Sequence, residues 1–280
     1  MRQFLALALI LLPALAGCGG SDHERVNPEL MLDQASAHRI SNANVEIDAH
    51  VQVLGVDRLS QPLRLRVEGP YLSGGSERIP SFDWRLSASA LGFPVGGRVL
   101  STGSNVYLSL YGNDYEVGRT AVSAANQRLQ EAAAAAGAPL DLRSWFGRGR
   151  IVGDDNAGGA DCEQITAPLR PGEPAGDLAP LASALGLSQP PTVSGRATAC
   201  VGYDDRRFHE LQVDAMVELP PVDRAQLGGA TGARLDADVV ISDIGDQQPI
   251  SAPRGSYRPI QDLFLTLNLT LNDLGVPVPL

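Results

Sequence analysis

Apolar and polar residues alternate over much of the chain from residue 45 onward. In VEIDAHVQV, Val45, Ile47, Ala49, Val51 and Val53 fall on one side, with Glu46, Asp48, His50 and Gln52 on the other. LRLRVEG sets Leu63, Leu65 and Val67 against Arg64, Arg66 and Glu68, and FDWRLSASAL sets Phe82, Trp84, Leu86, Ala88 and Ala90 against Asp83, Arg85, Ser87 and Ser89. RVLSTGSNVYLSLYGNDYEV continues as further strands with tight Gly/Asn turns, and HELQVDAMVEL and ARLDADVVIS repeat the alternation late in the chain. A period of two with one wet face predicts an antiparallel sheet covered on one side. Turn-rich stretches such as GPYLSGGSERIP, YGNDY and GYDDR separate the strands.

Helical patterns are few. NPELMLDQASAHR has Asn27 as a cap and Pro28 at the first helical position, where a missing N–H costs nothing. TAVSAANQRLQEAAAAAG predicts an Ala-rich helix over 120–137, followed by a short LRSWFG segment. DLAPLASALG predicts a helix over 177–186, capped by Asp177 and stopped by Gly186. The tail fits both periods, with a helix read near 260–267 and the remainder left open. This order predicts one α+β domain over 28–280, an antiparallel sheet whose apolar face is covered by two or three helices.

The first residues read as targeting. Arg2, the apolar stretch Phe4 to Ala14 and the small pair Ala16-Gly17 before Cys18 have the layout of a secretory signal over 1–17. The stretch is too short to span a bilayer, which takes about 20 residues. A small residue at each position before a cysteine resembles the bacterial lipoprotein signal, in which the cysteine is diacylated and becomes the mature N-terminus. The resemblance makes Cys18 a lipid-attachment site, residues 18–27 a polar tether, and the extracytoplasmic face of the cell membrane the location. Two or more acyl chains anchor stably.

Cys162 and Cys200 then remain, the simplest number for one disulfide in an oxidising envelope, with two free buried thiols as the other reading. All 22 basic residues are arginine, against 32 acidic ones. That balance argues against nucleic acid and against anionic head groups as partners.

No catalytic or cofactor motif appears. The histidines, His23, His38, His50 and His209, have no metal-ligand spacing. A GxSxG elbow is absent, and no Lys exists to complete a phosphate cradle. Asp154, Asp155, Asn156 and Asp161 lack the EF-hand spacing and read as a solvated turn. The expectation is therefore a protein that is not an enzyme and needs no cofactor or metal. Small inward residues (Ala49, Ala88, Ala90, Ala215 and Ala237) predict space between sheet and helices for an apolar ligand, with close helix packing as the plainer alternative.

A lipoprotein signal, a first helix ending in AHRISNANVEIDAHVQV, FDWRLSASALGFPVGGRVLSTGSNVYLSLYGNDYEV, GYDDRRFHELQVDAMVEL and VVISDIGDQQPISAP together resemble lipoproteins of the LprG/LppX type, within the wider LolA/LolB-like half-barrels. The likeness covers roughly residues 28–255 and is one of order and pattern; the Cys162/Cys200 pair, the Ala-rich helix and the tail beyond Pro259 depart from it. It implies a half-barrel, a curved antiparallel sheet wrapped over helices, receiving the acyl chains of a lipid or glycolipid, with an envelope transport partner for the cargo. The inward positions Ala49, Val51, Ala88, Ala90, Ala215 and Ala237 are the candidate lining, with Phe82 and Trp84 as lining or lid. The competing reading is a membrane-anchored interaction or sensor module with a filled core.

Overall fold

A computed structural model describes residues 27–56, 61–74, 79–90, 93–136, 142–170, 172, 188–225, 227–263 and 265. The signal, Cys18, most of the tether, the helix expected over 177–186 and the tail beyond 265 lie outside these residues.

In chain order the described elements are α1 (Pro28–Ala37), β1 (Asn42–Leu54), β2 (Leu63–Leu72), β3 (Ser81–Ala90), β4 (Phe93–Thr102), β5 (Val106–Leu110), β6 (Asn113–Glu116), α2 (Arg119–Ala136), α3 (Leu142–Trp145), β7 (Arg150–Ala157), β8 (Ala160–Pro168), β9 (Thr192–Gly202), β10 (Phe208–Glu218), β11 (Gly232–Ser242) and β12 (Arg258–Pro259). Residues 260–263 begin a helical turn. The strands form one open sheet in the order β12-β6-β5-β4-β3-β2-β1-β11-β10-β9-β8-β7. Every pairing is antiparallel except β12 on β6. The fold is α+β, as the alternation predicts.

Turn chemistry sets the hairpins. Tyr111-Gly112 (φ 50° and 74°) joins β5 to β6, and Gly158-Gly159 (φ 57° and 81°) joins β7 to β8. Two central residues at positive φ match the right-handed twist of the flanking strands. The sheet also curls. A Cβ on Gly158 would run into the Ile241 carbonyl of β11, although three strands separate β11 from β7 in the sheet. Beneath that turn, Cys162 of β8 and Cys200 of β9 form a disulfide, Cα–Cα 5.4 Å, buried with Ala157.

Helix α1 starts where Asn27 Oδ1 accepts the Glu29 N–H at 3.0 Å. Arg143 of α3 clamps it: its guanidinium donates to Asp33 Oδ1 at 2.5 Å, to Glu29, and to the Phe146 carbonyl at 3.0 Å. Met31, Leu32 and Ala35 of α1, with Phe146, thereby pack on Ile165, Ala197, Ala199 and Val201. Asn126 of α2 ties down two turns, accepting from the Ile79 N–H and donating to the Gly103 carbonyl.

After β11, Asp243 (φ 51°) redirects the chain. Asn42 receives the Gly245 and Gln247 amides, and Tyr257 meets Tyr107 at 4.9 Å before β12 joins β6. Residues 246–253 lie beside Leu100, which is 4% exposed although it shares the polar face with Asp83. This strap was not foreseen from the sequence.

Candidate functional site

In an antiparallel sheet, residues directly opposite share a face. The register lines up three of the small residues singled out in the sequence, Ala49, Ala88 and Ala237, in one row. Ala167 of β8 faces Ala197, which faces Val213; Val213 faces Ala237; Ala237 faces Ala49. Ala49 faces Leu65, Leu65 faces Ala88, and Ala88 faces Val95 of β4. One row thus crosses eight strands, and five of its members are alanine. The flanking row runs from Gly195 through Ala215, Leu235 and Val51 to Leu63.

The two halves of this inner face differ. On β8–β10, α1 and Phe146 cover it, and Ala167, Ala197 and Ala215 are each 2% exposed. From β11 to β4 the same face is half-buried at Ala237, Val51, Leu63, Ala88 and Val95, and Leu65 is 41% exposed. Within this half Ala43, Ala49 and Val67 of the same face are buried, at 0%, 8% and 6% exposure. Ala215, a candidate lining residue by sequence, belongs instead to the filled core with Leu32 and Phe146. Ala90 ends β3 opposite Phe93, and its side chain lies outside the described residues.

Phe82 and Trp84 stack on each other, centroids 4.2 Å apart and planes 19° apart, on the same face and half-buried. The indole Nε1–H of Trp84 is buried and has no partner among the described residues. A donor in that state is costly.

The outer face carries charge. Arg98 makes a two-pronged contact with Asp83 at 2.6 and 2.5 Å, and Arg66 and Arg85 reach Glu46 and Glu68. The Asp83 contact raises the Arg98 pKa further. A depression of about 720 Å³ on this face is bordered by Ser194, Arg196, Thr198, Gln212, Asp214 and Asp238. Burial, then the Glu210 carboxylate beside it, and Asp48 and Glu46 across the strands, push the Asp238 carboxyl up to about 6.

The other polar candidates are occupied structurally. His209, 6% exposed, meets Asp205 at 3.1 Å; burial opposes ionisation of Asp205, but the Arg207 amide and His209 outweigh it and lower its pKa. His38 Nδ1 contacts the Arg206 carbonyl at 3.0 Å, and His50 lies 3.6 Å from Asp48. The residues read as an acidic turn are strand ends instead: Asp154 accepts from the Tyr203 hydroxyl, Asp155 from Gln164, and Asp161 from Asn156 at 2.8 Å. Among the described residues no group of three or more His, Cys, Asp or Glu is placed to hold a metal ion, and no helix is long and apolar enough to cross a membrane.

No family model and no curated protein matches the chain. Solved structures to which it is similar include LprF from Mycobacterium bovis, at 12% identity and TM-score 0.47, covering 81% of this chain and 97% of that one. The lipoprotein LppX from Mycobacterium tuberculosis stands at 12% identity and TM-score 0.44, covering 80% and 98%. A LolA superfamily protein from Nitrosomonas europaea stands at 10% and 0.25, covering 79% and 96%. The second and third of these carry the LppX and LolA names of the group that the sequence resembles.

Proposed function

We propose that the protein is a lipoprotein of the extracytoplasmic membrane face, anchored through acyl chains on Cys18, that holds the acyl chains of a lipid or glycolipid against the inner face of its sheet. The observation that carries this reading is the contrast within that face. Along the row that crosses eight strands, Ala167 and Ala197 are buried beneath α1 and Phe146, whereas Ala237, Ala88 and Val95 are half-buried and Leu65 is exposed. A contiguous apolar surface left open on a folded protein marks a ligand groove or an interaction site. Five strands at a spacing of about 4.8 Å make a strip of roughly 19 Å, on the scale of one acyl chain.

Ala237, Ala49 and Ala88 leave room for methylenes along that strip, and Leu65 and Val95 supply apolar contact. Phe82 and Trp84 flank it, the buried indole N–H offering a donor to an ester or hydroxyl oxygen. Each methylene leaving water stabilises the complex by about 0.8 kcal/mol. No step of this reading needs bond chemistry, a metal or a cofactor. A carrier role, with a membrane or protein partner that accepts the cargo, follows if the bound lipid exchanges.

The test is native mass spectrometry of residues 19–280 recovered from a bacterial envelope. Adducts of lipid mass, lost in Ala88→Phe and retained in a variant on the outer face such as Ser87→Ala, support the reading. A clean apo mass that added lipid does not shift overturns it and leaves the outer surface as the working part.

A further inference from the structure

The sheet has two ends, treated differently. At one, β12 lies along β6. At the other, β7 pairs with β8 and with no further strand among the described residues, although the turn that ends it comes close to Ile241 of β11. An open edge presents unpaired N–H and C=O groups and templates further strands. Ile151 is 39% and Val152 49% exposed on this one.

Its charges have a particular order. The pairing shifts by one residue between Ile151 and Gly153, leaving Val152 as the extra residue of a bulge. That extra residue reverses the alternation. Arg150, opposite Thr166, and Asp155, opposite Cys162, therefore share the outer face although five positions separate them. Both are exposed. Arg150 makes no ion pair among the described residues, while Asp155 accepts from Gln164 and from the Asn156 amide. Asp154, on the opposite face, is taken up by Tyr203.

We propose that two copies of the chain join β7 to β7, antiparallel about a two-fold axis, with Arg150 of each copy opposite Asp155 of the other. Val152 then stands opposite Gly153, so the bulged side chain meets the one position with no side chain to clash. Parallel pairing in register would instead set like charges against each other. A two-fold contact of this kind closes on itself and gives a dimer rather than a fibre. Six residues a side bury less than the 1,200–2,000 Å² of a stable interface, so the association is weak and depends on concentration.

Sedimentation velocity on residues 19–280, which retain every described residue, tests this from micromolar to near-millimolar concentration. The wild-type chain is expected to pass from monomer to dimer. Arg150→Asp alone and Asp155→Arg alone are each expected to weaken the dimer about tenfold or more, because like charges then face each other. An equimolar mixture of the two variants is expected to regain the dimer, the two outer-face carboxylates of one edge meeting the two outer-face guanidiniums of the other. Misfolding cannot produce that recovery. A wild-type chain that stays monomeric, single variants that dimerise unchanged, or a mixture that fails to recover would each overturn the proposal.

Discussion

Asp238→Asn is expected to stabilise the protein at neutral pH. Asp238 stands on β11 among Glu210, Asp48 and Glu46, and burial together with those charges lifts its pKa from 3.8 to about 6. The folded state thus holds the proton more tightly than the unfolded chain does. Between pH 4 and pH 6 the unfolded carboxyl is ionised while the folded one is still protonated, so stability falls as pH rises. The contribution is intact below 3.8 and lost above about 6. At 1.36 kcal/mol per pH unit the interval corresponds to at most about 3 kcal/mol. The carboxyl keeps a side toward solvent, whose screening leaves about 1 kcal/mol. The amide introduced by the substitution removes the buried charge and keeps a donor for Glu210. Urea unfolding of wild type and variant at pH 3.5 and pH 8 isolates the effect, because other titrating groups cancel in the difference. The variant should gain about 1 kcal/mol at pH 8, a rise in Tm of about 2–4 °C for a chain of this size, and nothing at pH 3.5. Glu210→Gln should recover part of the same gain, and the double variant less than the sum. An equal gain at both pH values, or none at pH 8, would refute the electrostatic account.

Three further outcomes follow from the packing. Cys162→Ala with Cys200→Ala should lower stability by about 2–4 kcal/mol in denaturant unfolding, since the bond closes a loop of 38 positions, and reductant should lower the wild-type Tm while leaving the variant's unchanged. Ala215→Phe should destabilise by about 1–3 kcal/mol, because it overpacks the core under α1, whereas Ala88→Phe on the half-exposed strip should leave the melting curve near wild type. Arg143→Met should cost about 2–3 kcal/mol and raise hydrogen exchange first in α1, because it releases Glu29 and Asp33 together.

The alternating strands were legible because their inward residues are bulky enough to mark a face. β1, β2, β3, β10 and β11 fall where Val, Ile, Leu and Trp recur at every second position. β7 and β9 carry the same architecture with a fainter signal. The inward side of β9 is Val193, Gly195, Ala197, Ala199 and Val201, small where α1 and Phe146 press close against it. β7 is an edge, so most of its residues face water and show no period. Pairing order was not legible at all. The neighbours β1 and β11 are separated by some 190 positions, and the strap that seats β12 is apparent only once Tyr107 and Leu100 are seen beneath it.

The candidate site divides along the same line. Alternation placed Ala49, Ala88, Ala215 and Ala237 on one face correctly, since that depends on neighbours in sequence. Whether an alanine lies under a helix or beside open space depends on where α1 and α3 land, and that is decided by Arg143 reaching Glu29 across 114 positions. Alanine itself is uninformative on this point: it suits close helix approach and ligand space equally. Ala215 lies in the core with Leu32 and Phe146, whereas Ala88 lies four strands further along the sheet. The proposed strip therefore begins at β11, the strand beside those on which α1 packs.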